Sequence, residues 1–272
     1  MERNKPALSI LIPWYEREEL RLTLAANAPV FRTHHAEVLI LNCGGSSEPL
    51  RGLIAESEVA GVRQLDIPVP AFNKSLALNA GLARAKAEAV FILDTDVVLL
   101  GPLPMDALDE HSFVTIESVY ESAAYDAKSA RDNKAPAPEE GPVLEFSFRD
   151  GVKVRYQLGR RDASGNIRAG TGLLLAKKAD LLHIGGYNSD LDSWGWEDDD
   201  VLVRLQYTQR RRVQSGAALH LTHGDNRRFL RGSRSESNQR NFIKCCRNYN
   251  KGLFQGSYHS DMARLAGKVS ET

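Results

Sequence analysis

Apolar residues in the first hundred positions come in short bursts, separated by stretches in which apolar and polar residues alternate at helical spacing. Residues 7–12 form a β-rich run that Pro13 is expected to stop, because proline cannot donate to a ladder. Runs at 37–41 and 89–93 and a weaker one at 62–67 predict three further strands. Between them, residues 16–26 predict a helix with Leu20, Leu22 and Leu24 inward. Residues 47–57, with Pro49 near the start, and residues 73–87 predict two more helices. Strands alternating with helices at this spacing imply a parallel sheet covered on both faces.

The rhythm changes after residue 100. Residues 121–142 are rich in alanine, proline and charge, and predict a mobile loop. Residues 144–156 alternate about Asp150-Gly151, a strong hairpin turn. Strands are expected at 171–176 and 217–221, and helices at 199–211 and 235–249. There is no internal repeat and no clean linker, so residues 1–272 are expected to form one domain.

Composition narrows this picture. The chain carries 35 basic and 35 acidic side chains, so its overall charge gives no reason to expect nucleic acid as a partner. The balance is local: beyond Arg204 the acids are only Asp225, Glu236, Asp261 and Glu271, against many arginines and lysines. Such a segment suits phosphates or an anionic membrane surface. Three cysteines, two of them adjacent at Cys245 and Cys246, make no disulfide framework and fit a reducing compartment. The first residues carry neither a signal peptide nor an anchor. The expectation is therefore a cytoplasmic protein, peripheral to the inner face of the membrane through its basic C-terminal segment.

Three polar motifs follow the predicted strands: Pro13-Trp14-Tyr15-Glu16-Arg17, Asn42-Cys43-Gly44-Gly45-Ser46 and Asp94-Thr95-Asp96. In parallel sheets ligands bind beyond the carboxyl ends of strands, so these motifs should line one crevice. Asp94 and Asp96, one residue apart on extended backbone, point the same way and suit a hard cation such as Mn²⁺ or Mg²⁺. A histidine from His220-Leu221-Thr222-His223 can complete the shell. His223 is preferred, because residues three apart on an extended strand face opposite ways. The second acidic cluster is Trp194-Gly195-Trp196-Glu197-Asp198-Asp199-Asp200, after Gly185-Gly186-Tyr187. Flexible glycines, aromatic faces and clustered carboxylates suit a sugar ring beside a general base. Together the two clusters suggest metal-assisted sugar transfer from a nucleotide diphosphate. Two other readings compete: a haloacid-dehalogenase-like phosphatase with Asp94 as nucleophile, which lacks a clear downstream Gly-Asp-x-x-x-Asp motif, and a non-catalytic nucleotide- or glycan-binding module.

The order of Phe72-Asn73-Lys74-Ser75-Leu76-Ala77-Leu78-Asn79-Ala80-Gly81, Asp94-Thr95-Asp96, Gly185-Gly186-Tyr187 with the Trp-Gly-Trp acidic run, and His223 resembles GT-A glycosyltransferases. The chain is similar to β-1,4-galactosyltransferases and to bacterial chondroitin-polymerase-type family-two transferases over about residues 9–228. This resemblance implies a GT-A (Rossmann-like) α/β fold, a mixed sheet flanked by helices. It divides the chain into a nucleotide-binding half (about 1–100), a metal and acceptor half (about 101–230) and a C-terminal helical extension (231–272). It implies an inverting transferase that uses Mn²⁺ or Mg²⁺ to move galactose or an N-acetylhexosamine from a UDP-sugar to a glycan or glycolipid hydroxyl. By position, Pro13, Tyr15, Arg17, Asn73, Lys74 and Asp94 would serve the donor. Asp94, Asp96 and His223 would serve the metal. Trp194, Trp196 and Glu197 would hold the acceptor, with Asp198 the expected base and Glu197 its rival. One departure from the family pattern bears on that choice: two glycines that precede the Glu-Asp pair in galactosyltransferases are missing here. Residues 121–142 and 226–238 are expected to close over the donor.

Overall fold

A computed structural model describes residues 5–124, 141–159, 161, 166–223 and 233–272. The expected closing segments fall largely outside the described residues, at 125–140 and 226–232.

The first half follows the sequence pattern. Strands β1 (Leu8–Trp14), β2 (Ala36–Cys43), β3 (Val62–Ile67) and β4 (Ala89–Ile92) lie side by side in the order β3-β2-β1-β4, all parallel. Helices α1 (Leu20–Thr33) and α2 (Ser47–Glu56) cover one face, and α3 (Lys74–Arg84) covers the other. Within β1, Ile10 and Ile12 belong to the core under α1 and α2, whereas Leu11 belongs to the core under α3. A strand buried on both faces reads as a continuous apolar run for this reason.

Beyond residue 93 the sheet becomes mixed. β5 (Val97–Leu99), β6 (Ser112–Glu121), β9 (Ile167–Lys177), β10 (Arg211–Gln214) and β11 (Ala217–His220) extend it in the order β4-β9-β6-β11-β5, with β10 beside β6. β9 runs antiparallel to both β4 and β6. The hairpin of β7 (Val143–Ser147) and β8 (Lys153–Gln157) turns at Asp150-Gly151 as predicted; β8 packs on α5 (Glu197–Tyr207), and the short helix α4 (Lys178–His183) packs on β9, all within the α3-side core. The C-terminal residues are woven into the domain. After α6 (Arg234–Asn250), α7 (Tyr258–Leu265) packs on α3, and β12 (Ser270–Glu271) pairs with β3 at the sheet edge.

Several boundaries differ from expectation for physical reasons. Pro13 does not end β1 but pairs in register with Leu41. The pairing of β1 with β4 stops at Leu11↔Ile92, so at Pro13 one side of β1 is open and no ladder donor is missed. Helix α1 begins at Leu20 rather than near residue 16, because residues 15–19 are drawn into a loop. There Glu16 takes φ +49° and accepts a bond from Ser46 N, and Trp14 Nε1 donates to Arg17 O. Leu20 and Leu24 are buried, but Leu22 is 51% exposed. Two residues along a helix turn a side chain to the opposite face, so all three could not point inward.

Candidate active site

The divergence of β1 from β4 beyond Leu11 opens a crevice at the strand ends, and Asp94-Thr95-Asp96 crosses its floor. Two buried polar side chains of α1 hold this segment. Thr23 Oγ1 donates to Thr95 O (2.8 Å) and Asn27 Nδ2 donates to Val97 O (2.9 Å). Leu221 N donates to Asp96 O (2.8 Å), which ties in the end of β11. The resulting cavity, about 390 Å³, is walled by Pro13, Tyr15, Arg17, Lys74, Asp94 and Asp96 on one side and by Ser193 to Asp199 on the other. The two acidic stretches, a hundred residues apart in sequence, therefore share one pocket.

A candidate cation site is built on Asp96. Its Oδ2 lies 3.1 Å from His223 Nε2, 3.7 Å from His220 Nε2 and 2.9 Å from Arg17 Nη2. Burial alone would raise the Asp96 carboxyl, but the bonds from His220 and His223 and the charge of Arg17 hold it far below the usual carboxylate range. Burial would likewise lower the His220 imidazole, yet Asp96 and Glu121 outweigh it and raise its pKa. One ligand atom from each of Asp96, His220 and His223 falls within 4.8 Å of the others. Around a six-coordinate ion with bonds of ~2.1 Å, ligand atoms lie ~3–4.2 Å apart, a range that holds the separations of Asp96 Oδ2 from His223 Nε2 (3.1 Å) and His220 Nε2 (3.7 Å). An oxygen with two imidazole nitrogens is also a donor set that Mn²⁺ accepts.

This triad corrects two sequence expectations. His220 and His223 converge rather than face apart, because β11 ends at His220 and the next three residues leave the strand, so alternation no longer applies. Asp94 is not in the triad; its Oδ1 is ion-paired to Lys74 Nζ at 3.0 Å. Glu121, at the end of β6, was not singled out from sequence. It accepts a bond from His220 Nδ1 at 2.7 Å, and only the register of β6 with β11 makes them neighbours.

The opposite wall comes from the entrance of α5, whose four leading acids have separate fates. Asp200 is core: it accepts bonds from Arg204 Nε (2.8 Å) and Tyr249 Oη (2.7 Å), and Arg204 reaches on to Ile184 O and Gly186 O. Asp199 accepts from Tyr156 Oη (2.5 Å). Glu197 and Asp198 face the cavity. Lys74 Nζ grips Asp198 Oδ2 at 3.0 Å while also holding Asp94, whereas Asp198 Oδ1 has no hydrogen-bond partner. Room for this contact comes from Gly172 on β9, where a Cβ would lie 2.4 Å from Asp198 Oδ2. Burial and the neighbouring Asp198 push the Glu197 carboxyl up to about 8. Burial, with the nearby charge of Asp94, raises the Asp198 carboxyl above its usual range, and the charge of Lys74 only partly offsets this.

Three further expectations are corrected here. Trp196 lines the cavity but is only 6% exposed: its ring packs on Phe242 and Phe146 at centroid distances of 4.6 and 6.2 Å and anchors the loop in the core. Its φ of +69° at the start of α5 turns the indole inward and the acids outward. Asn73 caps α3 by accepting from Leu76 N and donates to Ser189 O, and it lies outside the cavity walls. Gly185 and Gly186 are not a flexible substrate loop. Asn79 binds both the N–H and the carbonyl of Tyr187, and a Cβ at Gly186 would meet Asn79 Oδ1 at 2.3 Å. Pro13, Tyr15 and Arg17 do border the cavity, as does Trp194, over whose ring Arg234 stacks at 4.1 Å.

Residues 155–223 match a family described as the N-terminal domain of galactosyltransferase. No curated protein sequence matches the chain. Among solved structures, GalNAc-T7 with UDP, GalNAc and Mn²⁺ superposes with a TM-score of 0.59 at 13% identity, covering 90% of this chain and 48% of that one. The chain thus spans about half the length of that protein. TarS residues 1–349 of S. aureus give 0.53 at 14% identity over 79% of this chain and 60% of that one. The mannosyltransferase PcManGT of Pyrobaculum calidifontis, with GDP-Man and Mn²⁺, gives 0.52 at 14% identity over 98% and 76%. The chain therefore shares the fold of these glycosyltransferases, and residues 155–223 are similar to the galactosyltransferase domain.

Proposed function

We propose that the protein is a metal-dependent, inverting glycosyltransferase that moves a sugar of galactose or N-acetylhexosamine type from a UDP-sugar to a glycan or glycolipid hydroxyl. One observation carries this reading: Asp96 and His220 of the triad line the same cavity as Asp198. Asp96, His220 and His223 would hold Mn²⁺ or Mg²⁺, which when bound supplies Lewis-acid neutralisation of a leaving diphosphate. Pro13, Tyr15 and Arg17 border the nucleotide, and Asp94, fixed by Lys74, faces the donor sugar. Trp194 and Glu197 position the acceptor. Asp198 Oδ1 takes the proton of the acceptor hydroxyl while that oxygen bonds to the anomeric carbon. The bond from that carbon to the diphosphate breaks, and its electron pair leaves with UDP. A single displacement of this kind inverts the anomeric centre.

The environments of the two carboxyls favour Asp198 over Glu197 as base. Glu197, raised to about 8, keeps its proton near neutrality and can donate a hydrogen bond, whereas Lys74 favours ionised Asp198. As a phosphatase nucleophile Asp94 would have to attack phosphorus from within its ion pair with Lys74. A binding module would not require a candidate base in the cavity wall. Work in the cytoplasm at the inner membrane face is part of the proposal. Its support is the outer face of α6, where Arg240, Lys244 and Arg247 surround the exposed Ile243. No described helix is long and apolar enough to cross a membrane.

The test is a panel of UDP-sugars, with GDP-mannose alongside, incubated with Mn²⁺ and oligosaccharide acceptors. Release of UDP that depends on both metal and acceptor is expected. Release of inorganic phosphate from a phosphomonoester would instead establish the phosphatase reading, and binding without turnover the binding module.

A further inference from the structure

The cation triad has an outer layer that the proposed function does not use. Strands β6 and β11 are parallel, with His220 opposite Glu121. Side chains of directly paired residues share a face, and Glu121 Oε2 accepts a hydrogen bond from His220 Nδ1 at 2.7 Å. The same oxygen accepts from Thr222 Oγ1 at 3.1 Å, and Arg168 Nε lies 3.6 Å from Glu121 Oε1. The backbone repeats the tie: Thr222 N donates to Ser122 Oγ (2.9 Å), and Ala123 N donates to Thr222 Oγ1 (3.2 Å). The segment from Leu221 to His223, which leaves the strand after His220, is thereby strapped to the end of β6.

We propose that Glu121 is the positioning residue of the cation site, acting through His220. The inference rests on the metal reading above. A carboxylate on Nδ1 fixes the proton there, leaves the Nε2 lone pair directed at the triad and strengthens the imidazole as a ligand. Without it the ring is free to take the other tautomer, whose Nε2 carries hydrogen and cannot ligate. It can also turn about its side-chain bonds, since no other described side chain is recorded bonding Nδ1. Arg168, opposite Glu121 Oε1, keeps that carboxylate turned so that Oε2 faces His220.

The experiment titrates Mn²⁺ alone, as MnCl₂, into the intact protein and reads the free-ion signal by electron paramagnetic resonance. Wild type, Glu121→Gln and Glu121→Leu are compared, with melting curves in EDTA to confirm folding. The expected result is a loss of Mn²⁺ affinity of about 10–100-fold in Glu121→Leu and a smaller loss in Glu121→Gln, which retains an acceptor oxygen, with melting in EDTA unchanged for Glu121→Gln. Glu121→Gln carries the test if the leucine variant does not fold. A wild type that binds Mn²⁺ and variants that bind it equally well would overturn this inference and leave the metal site standing. A wild type that does not bind Mn²⁺ would overturn both.

Discussion

At the scale of single residues, the site separates groups that the sequence presents as equivalents. Glu197, Asp198, Asp199 and Asp200 are consecutive, yet one faces the cavity protonated, one is gripped by Lys74, one binds a tyrosine and one neutralises a buried arginine. Two predictions follow from this sorting. Asp198→Asn removes the base but preserves shape, so turnover should fall ~10²–10⁴-fold. The affinity for UDP with Mn²⁺, measured by calorimetry, should stay within a factor of about two; an equal loss of UDP binding would move Asp198 to the donor site. The second concerns pH. Glu197 holds its proton up to about 8, so above that pH it becomes a second negative charge beside Asp198 and can no longer donate. kcat/KM should therefore decline on the alkaline side with a midpoint near 8, and Glu197→Gln should abolish that decline. An identical alkaline limb in the variant would assign it to another group.

At the scale of elements, the strands and helices up to residue 93 were legible because each apolar run is bounded by polar punctuation and each helix carries a repeating inward face. Asn73 reads as a helix start, and it is the cap of α3. The second half was less legible. β6 and β5 were not assigned, and the pairing of β9 with β4 and β6 depends on residues eighty and fifty positions away, which local periodicity cannot encode. The same limit hid Glu121 and the convergence of His220 with His223. Their proximity is set by the β6–β11 register and by where β11 stops. Helix α5 shows how an element presents a site: Arg204, 2% exposed, ties Asp200 one turn below to the carbonyls of Ile184 and Gly186. Arg204→Met would leave Asp200 buried without its cation and take the guanidinium donor from the carbonyls of Ile184, which keeps Gly256 N, and Gly186. Stability in urea unfolding should fall by about 3–5 kcal/mol. A loss under 1 kcal/mol would mean that water or a rearranged neighbour replaces the guanidinium.

At the scale of the whole molecule, α6 links the cavity to the surface. Its inner side braces the acceptor wall: Ser237 Oγ accepts from Trp194 N (3.0 Å), and Asn241 Nδ2 donates to Asp192 O and Gly195 O. Its capping box at Ser233 and Glu236 fixes where the helix starts. Its outer side carries Arg240, Lys244 and Arg247 around Ile243, which is 40% exposed, and Leu253 just beyond the helix is 56% exposed. A surface that is basic with scattered apolar tips suits the headgroup layer of an anionic bilayer, where each lysine or arginine contributes about 1 kcal/mol. Attachment by this face would hold the acceptor wall near the bilayer, within reach of a lipid-linked glycan. The protein should therefore co-sediment with phosphatidylglycerol vesicles and not with phosphatidylcholine vesicles, and binding should weaken with added salt. Arg240→Glu with Arg247→Glu removes two favourable charges and adds two opposed ones, so vesicle affinity should drop by at least about 30-fold. Turnover on a soluble acceptor should be retained, because neither side chain touches the cavity. Equal sedimentation with both lipids, or no response to the double charge reversal, would assign this face to solvent and leave the acceptor free of any membrane requirement.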